Sequence, residues 1–548
     1  KELFPSRGFQ ASSEPIIHFG FGELTKIDSL KIVWPDRTYE MLTNVPANQT
    51  LTISPEANRN LHSISSDSSK VIFKKVPGKL GLDFTHVEDR YLDFNREKLI
   101  PYRTSDRGPA FALGDLNGDG TEDILFGGSK FKSASVYMAN DSVFVKKAMP
   151  VLSKDSISEN VSATIADFTG NGKADILFGN GGGDFFKNAP PLTESYFTTS
   201  KGSLSAKEFP NKYQNTSVVK PCDYDKDGDL DLFVGGYSKT TEFGAFVPSF
   251  LYQNQNGSFS EATDFASVEG MVTDALWSDI DNDGWMDLIV VGEWMNPYIF
   301  KNNKGKLSEP TQVEATGLWQ AIFPFDIDQD GDLDYLLGNW GTNSKFKASA
   351  EKPLRLYFND FDGNGQTETI TAVAKNGNYF TVEGLDGLSK QIESIRKKYT
   401  SYTAFAGKPL TELFEPEVLE NSTLLEVNTL KSGFLRNEEG RFTFVPFTSS
   451  LQVAPIMAFT GFDFDSDGKQ EVLIGGNYFG IKPYHGRFDA FSGALLKDEN
   501  TIILGNRLGL DFTKKSLRHL AKISMNGGDY LLAVFNNEPV EVYQIVKK

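Results

Sequence analysis

The chain has 548 residues, with 55 Lys and Arg against 73 Asp and Glu, which gives a formal net charge of −18. This length suggests three or four domains, or one large repeat architecture with an additional segment. The acidic balance argues against a nucleic-acid partner, and one Cys excludes a disulfide framework and any multi-cysteine zinc site. No apolar run approaches the ~18–20 residues that a membrane-spanning helix needs.

The first residues contain neither an initiating Met nor a signal peptide. We therefore expect that a targeting segment has been removed, or that a longer protein begins before residue 1. Residues 54–75 are rich in Ser and Asn in their first part and predict a linker.

Seven Asp-rich segments share one spacing, with oxygen side chains at positions 1, 3 and 5, Gly at position 6 and a carboxylate at position 9. We number them loops 1 to 7; they cover residues 115–123, 167–175, 223–231, 279–287, 326–334, 360–368 and 463–471. The residues predicted to bind a metal at positions 1, 3, 5, 7 and 9 are Asp115, Asn117, Asp119, Thr121, Asp123, Asp167, Thr169, Asn171, Lys173, Asp175, Asp223, Asp225, Asp227, Asp229, Asp231, Asp279, Asp281, Asp283, Trp285, Asp287, Asp326, Asp328, Asp330, Asp332, Asp334, Asp360, Asp362, Asn364, Gln366, Glu368, Asp463, Asp465, Asp467, Lys469 and Glu471.

This spacing suits a hard cation such as Ca²⁺, which takes six to eight oxygen ligands at ~2.3–2.6 Å. Alternate residues of a curling loop can direct oxygens at one centre, and Gly at position 6 permits a turn with positive φ. Position 7 is expected to contribute its backbone carbonyl, which explains why its side chain varies. Loop 2 departs most from the pattern, because Thr169 and Asn171 replace two carboxylates.

The residues after each loop distinguish this motif from an EF-hand. An EF-hand has a bidentate Glu at position 12 and flanking helices, whereas position 12 here is Phe, Val, Leu, Thr or Ile. Short apolar runs ending near Gly follow the loops, for example 124–128, 232–236 and 472–476, and predict buried strands. The loops are therefore expected to join strand to strand.

The loops recur with a period near 50 residues, which predicts the blades of a β-propeller. The gap between loops 6 and 7 is longer, and residues 387–414 carry apolar side chains at helical intervals. We predict one or two helices inserted in a blade there. They act either as a cover for the sheet edge or as a lid or docking element.

The repeats resemble the FG-GAP/VCBS type of calcium-loop propeller, and residues 13–53 resemble the later part of an ASPIC/UnbV domain. The resemblance rests on the loops and on the segments 17–22, 27–30, 33–36, 338–344 and 488–493. Such a combination resembles surface-exposed or secreted proteins of Bacteroidota that are distantly similar to cartilage acidic protein. The ASPIC/UnbV-like segment lacks its opening strands, so we expect this chain to be the C-terminal part of a longer protein.

The predicted fold is all-β: a propeller of seven or eight blades with calcium-binding loops between strands, a small helical insertion at about 386–415 and a partial N-terminal β domain. The expected boundaries are 1–53 for the ASPIC/UnbV-like domain, 54–75 for the linker and 76–548 for the propeller.

The predicted function is a non-enzymatic, calcium-stabilised extracellular binding scaffold with up to seven structural Ca²⁺ ions. Extracellular calcium modules bind with Kd on the order of 10⁻⁴–10⁻³ M, so cytosolic calcium would leave such sites empty. The resemblance implies a protein partner at the cell surface or outer membrane of a Gram-negative bacterium, in an uptake or assembly system of the SusC/SusD kind.

Two alternatives remain open at this stage. A lectin-like module would use Trp277, Trp285, Trp294, Trp319 and Trp340 to stack on a glycan, although most of them are expected in the core. A polysaccharide-degrading enzyme would need a base or a carboxylate pair in a cleft. The five His residues, at 18, 62, 86, 485 and 519, form no catalytic pattern, and Cys222 is expected to be a small buried residue.

The seven loops also change the interpretation of the net charge. Positions 1, 3, 5 and 9 of the seven loops hold 24 carboxylates, and seven Ca²⁺ ions would change the net charge from −18 to −4. Most of the excess acidity is therefore predicted to be ligand rather than surface, and the metal-free chain is expected to be destabilised by like charges.

Overall fold

The computed structural model describes residues 1–4, 6–36, 38–55, 60–61, 71–186, 189–210, 212–525 and 527–546. Most of the predicted linker 54–75 and His62 lie outside these residues. Contacts between Cα atoms divide the chain into two compact units, Lys1–Lys70 and Val71–Lys548.

The first unit contains short antiparallel strands. β1 (Ser6–Gly8) pairs with β2 (Ala11–Ser12), and β3 (Lys26–Val33), β4 (Thr38–Pro46) and β5 (Asn60–Leu61) form a second sheet. Asp36 holds the turn between β3 and β4, because its carboxylate accepts the backbone N–H of Thr38 at 2.9 Å and the Thr38 hydroxyl at 2.6 Å. Asp favours such turns by accepting a hydrogen bond from the backbone two residues on.

The second unit contains seven successive antiparallel sheets in its described part. β6 (Phe73–Lys75) is the first strand of this unit. Sheet 1 consists of β7 (Phe111–Gly114), β8 (Asp123–Phe126), β9 (Ser135–Asn140) and β10 (Val143–Lys147), and sheet 2 of β11 (Glu159–Ala166), β12 (Asp175–Gly181), β13 (Ser195–Ser200) and β14 (Ser203–Lys207).

Sheet 3 consists of β15 (Thr216–Cys222), β16 (Asp231–Gly236), β19 (Phe250–Gln255) and β20 (Ser258–Glu261), with the hairpin β17 (Ser238–Lys239) and β18 (Glu242–Phe246) before β19. Sheet 4 consists of β21 (Met271–Ser278), β22 (Asp287–Met295), β23 (Tyr298–Phe300), β24 (Thr311–Gln312) and β25 (Gly317–Leu318). Sheet 5 begins with β26 (Ala321–Phe325) and β27 (Asp334–Gly338).

An insertion of about ninety residues interrupts sheet 5. It contains a four-stranded sheet of β28 (Leu354–Asn359), β29 (Glu368–Lys375), β30 (Asn378–Thr381) and β31 (Thr423–Val427). The helices α1 (Leu385–Ser389), α2 (Glu393–Lys398), α3 (Tyr402–Phe405), α4 (Leu410–Leu413) and α5 (Pro416–Glu420) lie between β30 and β31. Each described helix is far too short to cross a membrane.

Sheet 5 is completed by β32 (Gly433–Glu438) and β33 (Arg441–Pro446), which pair with β27. Sheet 6 consists of β34 (Ile456–Phe462), β35 (Glu471–Gly476), β36 (Ala494–Leu496) and β37 (Ile502–Leu504). Sheet 7 consists of β38 (Ser516–Met525), β39 (Gly528–Asn536) and β40 (Glu541–Ile545), and β6 from the start of the unit pairs with β40 as its fourth strand.

The apolar runs after the loops are buried between neighbouring sheets. In β16 the side chains of Leu232 and Val234 pack with Val219 of β15 and the core shared with sheet 2, whereas Phe233 packs against Val272 of sheet 4. Alternate side chains of a strand point to opposite faces, so a run that is apolar throughout indicates a strand covered on both sides. Gly235 allows the close approach, because a Cβ there would lie 2.7 Å from the Val272 side chain.

The last sheet packs against the first. Ile523, Leu532 and Val534 of sheet 7 share one hydrophobic core with Ile124 and Phe126 of sheet 1. Together with the pairing of β6 and β40, this contact joins the start of the series of sheets to its end. The architecture is therefore all-β and β-propeller-like, as the sequence predicts in outline.

The insertion is larger than the sequence predicts. One or two helices are expected at about 386–415, and the structure has five short helices between residues 385 and 420 together with a sheet of their own. Loop 6 joins β28 to β29 in this additional sheet, whereas sheet 7 carries none of the seven loops. Seven loops and seven sheets therefore do not correspond one to one, because the loop motif can join any pair of antiparallel strands.

A segment ahead of sheet 1 supplies buried polar contacts. The Asp93 carboxylate accepts hydrogen bonds from the backbone and hydroxyl groups of Thr104 and Ser105. The Tyr102 hydroxyl donates to Oε2 of Glu293 in β22 at 2.8 Å, and the Tyr237 hydroxyl donates to the same oxygen. These contacts lie at the end of the sheets remote from the loops between first and second strands.

Candidate metal centres

All seven loops connect two neighbouring antiparallel strands. Position 1 directly follows the first strand, and position 9 is the first residue of the second strand. Loops 1 to 5 and loop 7 join the first and second strands of sheets 1 to 6, and we call the end of the sheets that carries them the loop end.

Asn residues in or just after the third strands link neighbouring loops. The Asn302 amide donates to the backbone carbonyl of Tyr224 in loop 3 at 2.8 Å and of Met286 in loop 4 at 3.0 Å. Asn254 joins loops 2 and 3 through the carbonyls of Phe168 and Leu230 in the same way. Loops 2 to 4 therefore lie side by side and share hydrogen bonds.

The loop backbones are organised by the loop's own carboxylates. In every loop the position 1 carboxylate accepts the backbone N–H of the Gly at position 6, at 2.7 to 3.2 Å. The oxygen at position 5 accepts the N–H of position 7, at 2.7 to 2.9 Å. The position 6 Gly has φ between 74° and 102° in all seven loops, the conformation that a Cβ disfavours.

Position 4 has the same backbone requirement, which the sequence analysis does not anticipate. Its φ lies between 56° and 81° in all seven loops. Three of these residues are Gly, and the others are Lys226, Asn282, Gln329 and Ser466. Non-Gly residues adopt such angles at a cost. Position 4 lacks β-branched residues but holds no single residue type, so the sequence carries only a weak signal for this backbone conformation.

The position 9 carboxylate is buried in every loop, with at most 1% of the residue exposed. In loop 4, Asp287 accepts the backbone N–H of Ile280 at 3.1 Å and that of Asn302, just after the third strand, at 2.6 Å. Burial raises the pKa of Asp231 to about 7 and that of Asp334 to about 6. A carboxylate removed from water in this way is stabilised in its charged form by a nearby cation.

Five loops bring carboxylates together at one point. Within the described residues, groups of three or four offer one oxygen each, and these oxygens lie within 4.8 Å of one another. The groups are Asp223, Asp225 and Asp231; Asp279, Asp281 and Asp283; Asp326, Asp328 and Asp334; Asp360, Asp362 and Glu368; and Asp463, Asp465, Asp467 and Glu471. Loops 1 and 2 form no such group, because neutral side chains occupy position 3.

Unpartnered buried oxygens provide the test of whether these loops suit a cation. Asp223 Oδ1, Asp231 Oδ2, Asp362 Oδ1, Glu368 Oε1 and Asp465 Oδ1 are inaccessible to solvent and have no hydrogen-bond partner. Buried polar atoms without partners are rare and costly in proteins. All five belong to predicted ligand positions of loops 3, 6 and 7, so the donor set fits a hard divalent cation at these loops.

Comparison with protein-family models gives independent matches to both parts of the chain. Residues 1–60 match the model described as ASPIC and UnbV. Residues 101–178, 223–290 and 279–337 match the model described as FG-GAP-like repeat. The chain carries FG-GAP-like repeats and an ASPIC/UnbV segment. The expected recognition is thus confirmed for both, and the FG-GAP-like matches include loops 1 to 5.

FG-GAP-like repeats are typical of extracellular and cell-surface proteins, are typically non-catalytic and often bind calcium. No curated protein matches the chain. Solved structures show only weak overall similarity. The V. cholerae biofilm matrix protein Bap1 has 11% identity and a TM-score of 0.39, with 87% of this chain and 91% of that chain covered. Saccharomyces cerevisiae Sqt1 has 11% identity, a TM-score of 0.37 and coverage of 83% and 99%.

The environments of Cys222, His86 and His519 suit structural roles for these side chains. Burial raises the pKa of the Cys222 thiol to about 12, which opposes thiolate formation. Burial lowers the pKa of His86 to about 3 and that of His519 to about 4, so both rings are neutral at physiological pH. His519 contacts the Pro109 carbonyl at 2.9 Å, which agrees with a structural role.

Most Trp side chains belong to the core, as expected. Trp294, Trp319 and Trp340 are buried, and the Trp277 indole donates to the Lys220 carbonyl at 3.2 Å. Trp285, at position 7 of loop 4, is half-buried rather than fully exposed, because the Lys226 ammonium of the neighbouring loop lies 4.3 Å from its ring centre. Three of these five Trp side chains are therefore buried, and Trp277 and Trp285 are half-buried.

Proposed function

We propose that the protein is a non-enzymatic, calcium-stabilised binding scaffold that works outside the cytoplasm, at a cell surface. The observation that carries this proposal is the set of buried, unpartnered carboxylate oxygens that converge in the FG-GAP-like loops. These oxygens are inaccessible to solvent and have no hydrogen-bond donor in the described part of the chain, and a divalent cation satisfies several of them at once.

We further propose that sheets 1 to 7 are the seven blades of a β-propeller. Supporting this, each sheet starts with a strand that contacts the first strand of the next sheet, and β6 completes sheet 7 next to β40. The two ends of the second unit therefore share one sheet, which joins the last blade to the start of that unit. The inserted sheet carrying loop 6 is then an addition to blade 5 and not an eighth blade.

Calcium would be held by the oxygens at positions 1, 3, 5 and 9 and by the backbone carbonyl of position 7. The ion would supply the positive charge that the buried carboxylate at position 9 lacks. At millimolar calcium and a Kd on the order of 10⁻⁴–10⁻³ M, each filled loop adds roughly 0.4–1.4 kcal/mol to the free energy of unfolding. Several filled loops together are comparable with the whole stability of a domain, ~5–15 kcal/mol.

Chelation of the full chain tests the calcium proposal. In 2 mM CaCl₂ we expect a Tm several degrees higher than in excess chelator, since an unfolding entropy of about 2.1 cal/mol/K per residue makes 1 kcal/mol worth roughly 1 °C in a protein of this size. MgCl₂ at the same concentration is the control, because Mg²⁺ prefers a smaller octahedral site. An unchanged Tm would show that the loops do not bind structural ions.

A protein partner at the cell surface or outer membrane, in a SusC/SusD-like complex, is the proposed binding target. One exposed apolar surface supports protein binding. Phe131 and Phe186 are 68% and 66% exposed, and Ile157 is 53% exposed. The Lys130 ammonium lies between the rings of Phe131 and Phe185, at 5.6 and 4.8 Å from their centres, so these loops are close together. Contiguous exposed apolar groups are typical of interaction sites.

Pull-down from solubilised membranes tests the partner. We expect the double variant F131S/F186S to capture less of the co-purifying protein than the wild type. V143S/V145S, which changes exposed apolar residues of β10, is the matched control. Equal capture by all three proteins would exclude the Phe131 surface from the interface.

A groove in the insertion favours glycan binding as a second candidate function. It has a volume of about 470 Å³ and is bordered by Tyr402 and Tyr484, whose side chains are largely exposed. The Tyr402 hydroxyl donates to Asp386 at 2.7 Å, and Glu383 and Lys390 complete its polar rim. Exposed rings beside carboxylates can stack on sugar faces and bind hydroxyl groups.

A glycan array with the calcium-loaded chain separates this function from protein docking. Y402A is expected to lose binding, whereas Y402F keeps the ring and retains most of it. The polysaccharide-degrading alternative predicts shortened products after incubation with any bound glycan, and we expect none. Absence of binding to every glycan would remove the second candidate.

A further inference from the structure

A side chain in the third strand or directly after it contacts the position 3 carboxylate in four loops. Gln253 Nε2 donates to Asp225 Oδ2 in loop 3 at 3.3 Å, and Lys301 Nζ donates to Asp281 Oδ2 in loop 4 at 2.6 Å. Arg436 Nε lies 3.4 Å from Asp328 Oδ2 in loop 5, and Lys497 Nζ lies 2.6 Å from Asp465 Oδ2 in loop 7.

These side chains occupy equivalent positions in the sheets. Each directly follows the third-strand residue that is paired with position 10 of its loop. The equivalent residues beside loops 1 and 2 are Met138 and Thr198. Position 3 of those two loops is Asn117 or Thr169, with no carboxylate. In the four loops of sheets 3 to 6, a carboxylate at position 3 is thus accompanied by a donor group in or directly after the third strand. Loop 6, in the inserted sheet, holds the fifth such carboxylate, Asp362, and its Oδ1 has no partner among the described residues.

Lys497 has more contacts than its counterparts. Its ammonium lies 2.6 Å from Asp465, 3.2 Å from Asp467 and 3.0 Å from Glu471. Lys301 forms one such contact within its loop, and Arg436 also pairs with Glu499 at 2.6 Å outside it. An ammonium group has three N–H donors. That of Lys497 donates to Asp465 and Asp467 and lies within ion-pair distance of Glu471.

The position of Lys497 Nζ coincides with the point on which the loop 7 carboxylates converge. Asp463, Asp465, Asp467 and Glu471 each offer an oxygen within 4.8 Å of the others, and the ammonium contacts three of these four residues. Loop 3 differs from loop 7 because no cationic side chain that the structure describes contacts its position 3 carboxylate. Its third-strand residue is the neutral Gln253, and Asp223 Oδ1 and Asp231 Oδ2 are buried without a partner.

We propose that Lys497 is the built-in cation of loop 7, which holds its carboxylates without a divalent ion, and that the third-strand residue determines how strongly each loop binds calcium. This inference rests on the proposed calcium function. Loop 3 is then the strongest site of the propeller sheets, loops 4 and 5 are weaker, and loop 7 stays free of calcium at about 1 mM. Calcium entry into loop 7 requires the Lys497 ammonium to leave all three carboxylates.

Removal of the ammonium should turn loop 7 into a metal site. In K497M, Asp465 would have both oxygens open, since its Oδ1 already lacks a partner. Calcium bound per full chain, measured by equilibrium dialysis at about 1 mM free Ca²⁺, is expected to rise by one ion relative to the wild type. The added ion should be at least tenfold more tightly bound than any calcium at loop 7 of the wild type. K497Q, which introduces the amide found at Gln253, is a second variant with the same expectation.

Two further variants locate the effect. K497M/D465N should return to the wild-type count, and K147M, which removes an exposed lysine of β10 far from the loops, should leave the count unchanged. In chelator K497M is expected to melt below the wild type, because three carboxylates lose their counter-charge, and calcium should close the difference. This response distinguishes a cation substitute from a lysine that only packs.

Failure of the inference and failure of the proposed function give different results. If the wild type binds an ion at every loop, or if K497M and the wild type bind the same non-zero amount of calcium, Lys497 is not a cation substitute and the scaffold proposal stands. If neither protein binds calcium, the calcium proposal falls and this inference falls with it.

Discussion

The two ends of sheets 1 to 7, the loop end and the opposite end, bury carboxylates in different ways. At the loop end, the position 9 carboxylates are buried in a repeated motif, and several loop oxygens have no donor from the chain. At the opposite end, Glu293 accepts hydrogen bonds from the hydroxyl groups of Tyr102 and Tyr237, and Gln320 donates to its other oxygen at 2.7 Å. Both Glu293 oxygens therefore have donors within the chain, whereas the unpartnered oxygens at the loop end lie at positions predicted to bind a metal.

This difference predicts that the two ends respond differently to solution conditions. Variants at the loop end should have effects that depend on calcium, because the ion is one of the interacting groups. Variants at the opposite end should have the same effect with and without calcium, since all the groups involved are covalently part of the chain.

The largest effect is expected for Glu293→Ala. The substitution leaves the hydroxyl groups of Tyr102 and Tyr237 without an acceptor in a site that is fully buried. Loss of one partner from a buried charged network costs about 3–5 kcal/mol. Urea unfolding should show a loss of this size in 2 mM CaCl₂ and the same loss in chelator.

Glu293→Gln is the matched control, because the amide keeps one oxygen acceptor and nearly the same volume. It should lose clearly less than the Ala variant. A loss in Glu293→Ala that disappeared on addition or removal of calcium would contradict the contrast between the two ends.

The same contrast explains what the sequence could predict. The loops were predictable because one spacing occurs seven times and every predicted ligand lies within the nine residues of its loop. The strands that follow were predictable because both of their faces are covered by neighbouring sheets, which requires continuous apolar runs such as 232–234. The positive φ at position 4 was missed because Lys226, Asn282, Gln329 and Ser466 share no side-chain feature.

The opposite end could not be predicted from the sequence. Tyr102 and Glu293 are 191 residues apart, and neither lies in a repeated motif. The location of loop 6 in an inserted sheet was missed for a related reason, since the motif specifies a turn between two antiparallel strands and not the sheet to which they belong. Lys497 also lies outside the motif, 26 residues after Glu471, and only strand pairing brings it to the loop.

A pH-dependent effect of intermediate size is expected for Glu194→Gln. Glu194 lies at the opposite end, where the Thr216 hydroxyl donates to its Oε1 at 2.6 Å and its Oε2 has no partner. Burial raises the pKa of Glu194 from 4.5 to about 7. The folded state therefore holds this proton more tightly than the unfolded state, and the stability that Glu194 contributes below pH 4.5 is lost as pH rises to about 7.

Replacement by Gln removes this titration. The stability of E194Q relative to the wild type should increase between pH 4.5 and 7, by up to about 3 kcal/mol, and then stay constant above pH 7. Urea unfolding at several pH values in the presence of calcium measures the difference. A difference between the two proteins that is independent of pH would show that Glu194 is ionised in the folded state throughout this range.

The smallest effect, and the one that depends on calcium, is expected for Asp231→Asn in loop 3. In 2 mM CaCl₂ the variant should lose about 1 kcal/mol, the contribution of one filled site. In chelator at pH 8 the same substitution should be neutral or stabilising, because burial raises the pKa of Asp231 to about 7 and the wild type then contains an uncompensated buried charge. Asp229→Asn, at position 7 of the same loop, is the control, since only the carbonyl of that residue is expected to face the ion. Urea unfolding of both variants with and without calcium measures the sign change, and an identical loss for Asp231→Asn under both conditions would place its role in folding rather than in ion binding.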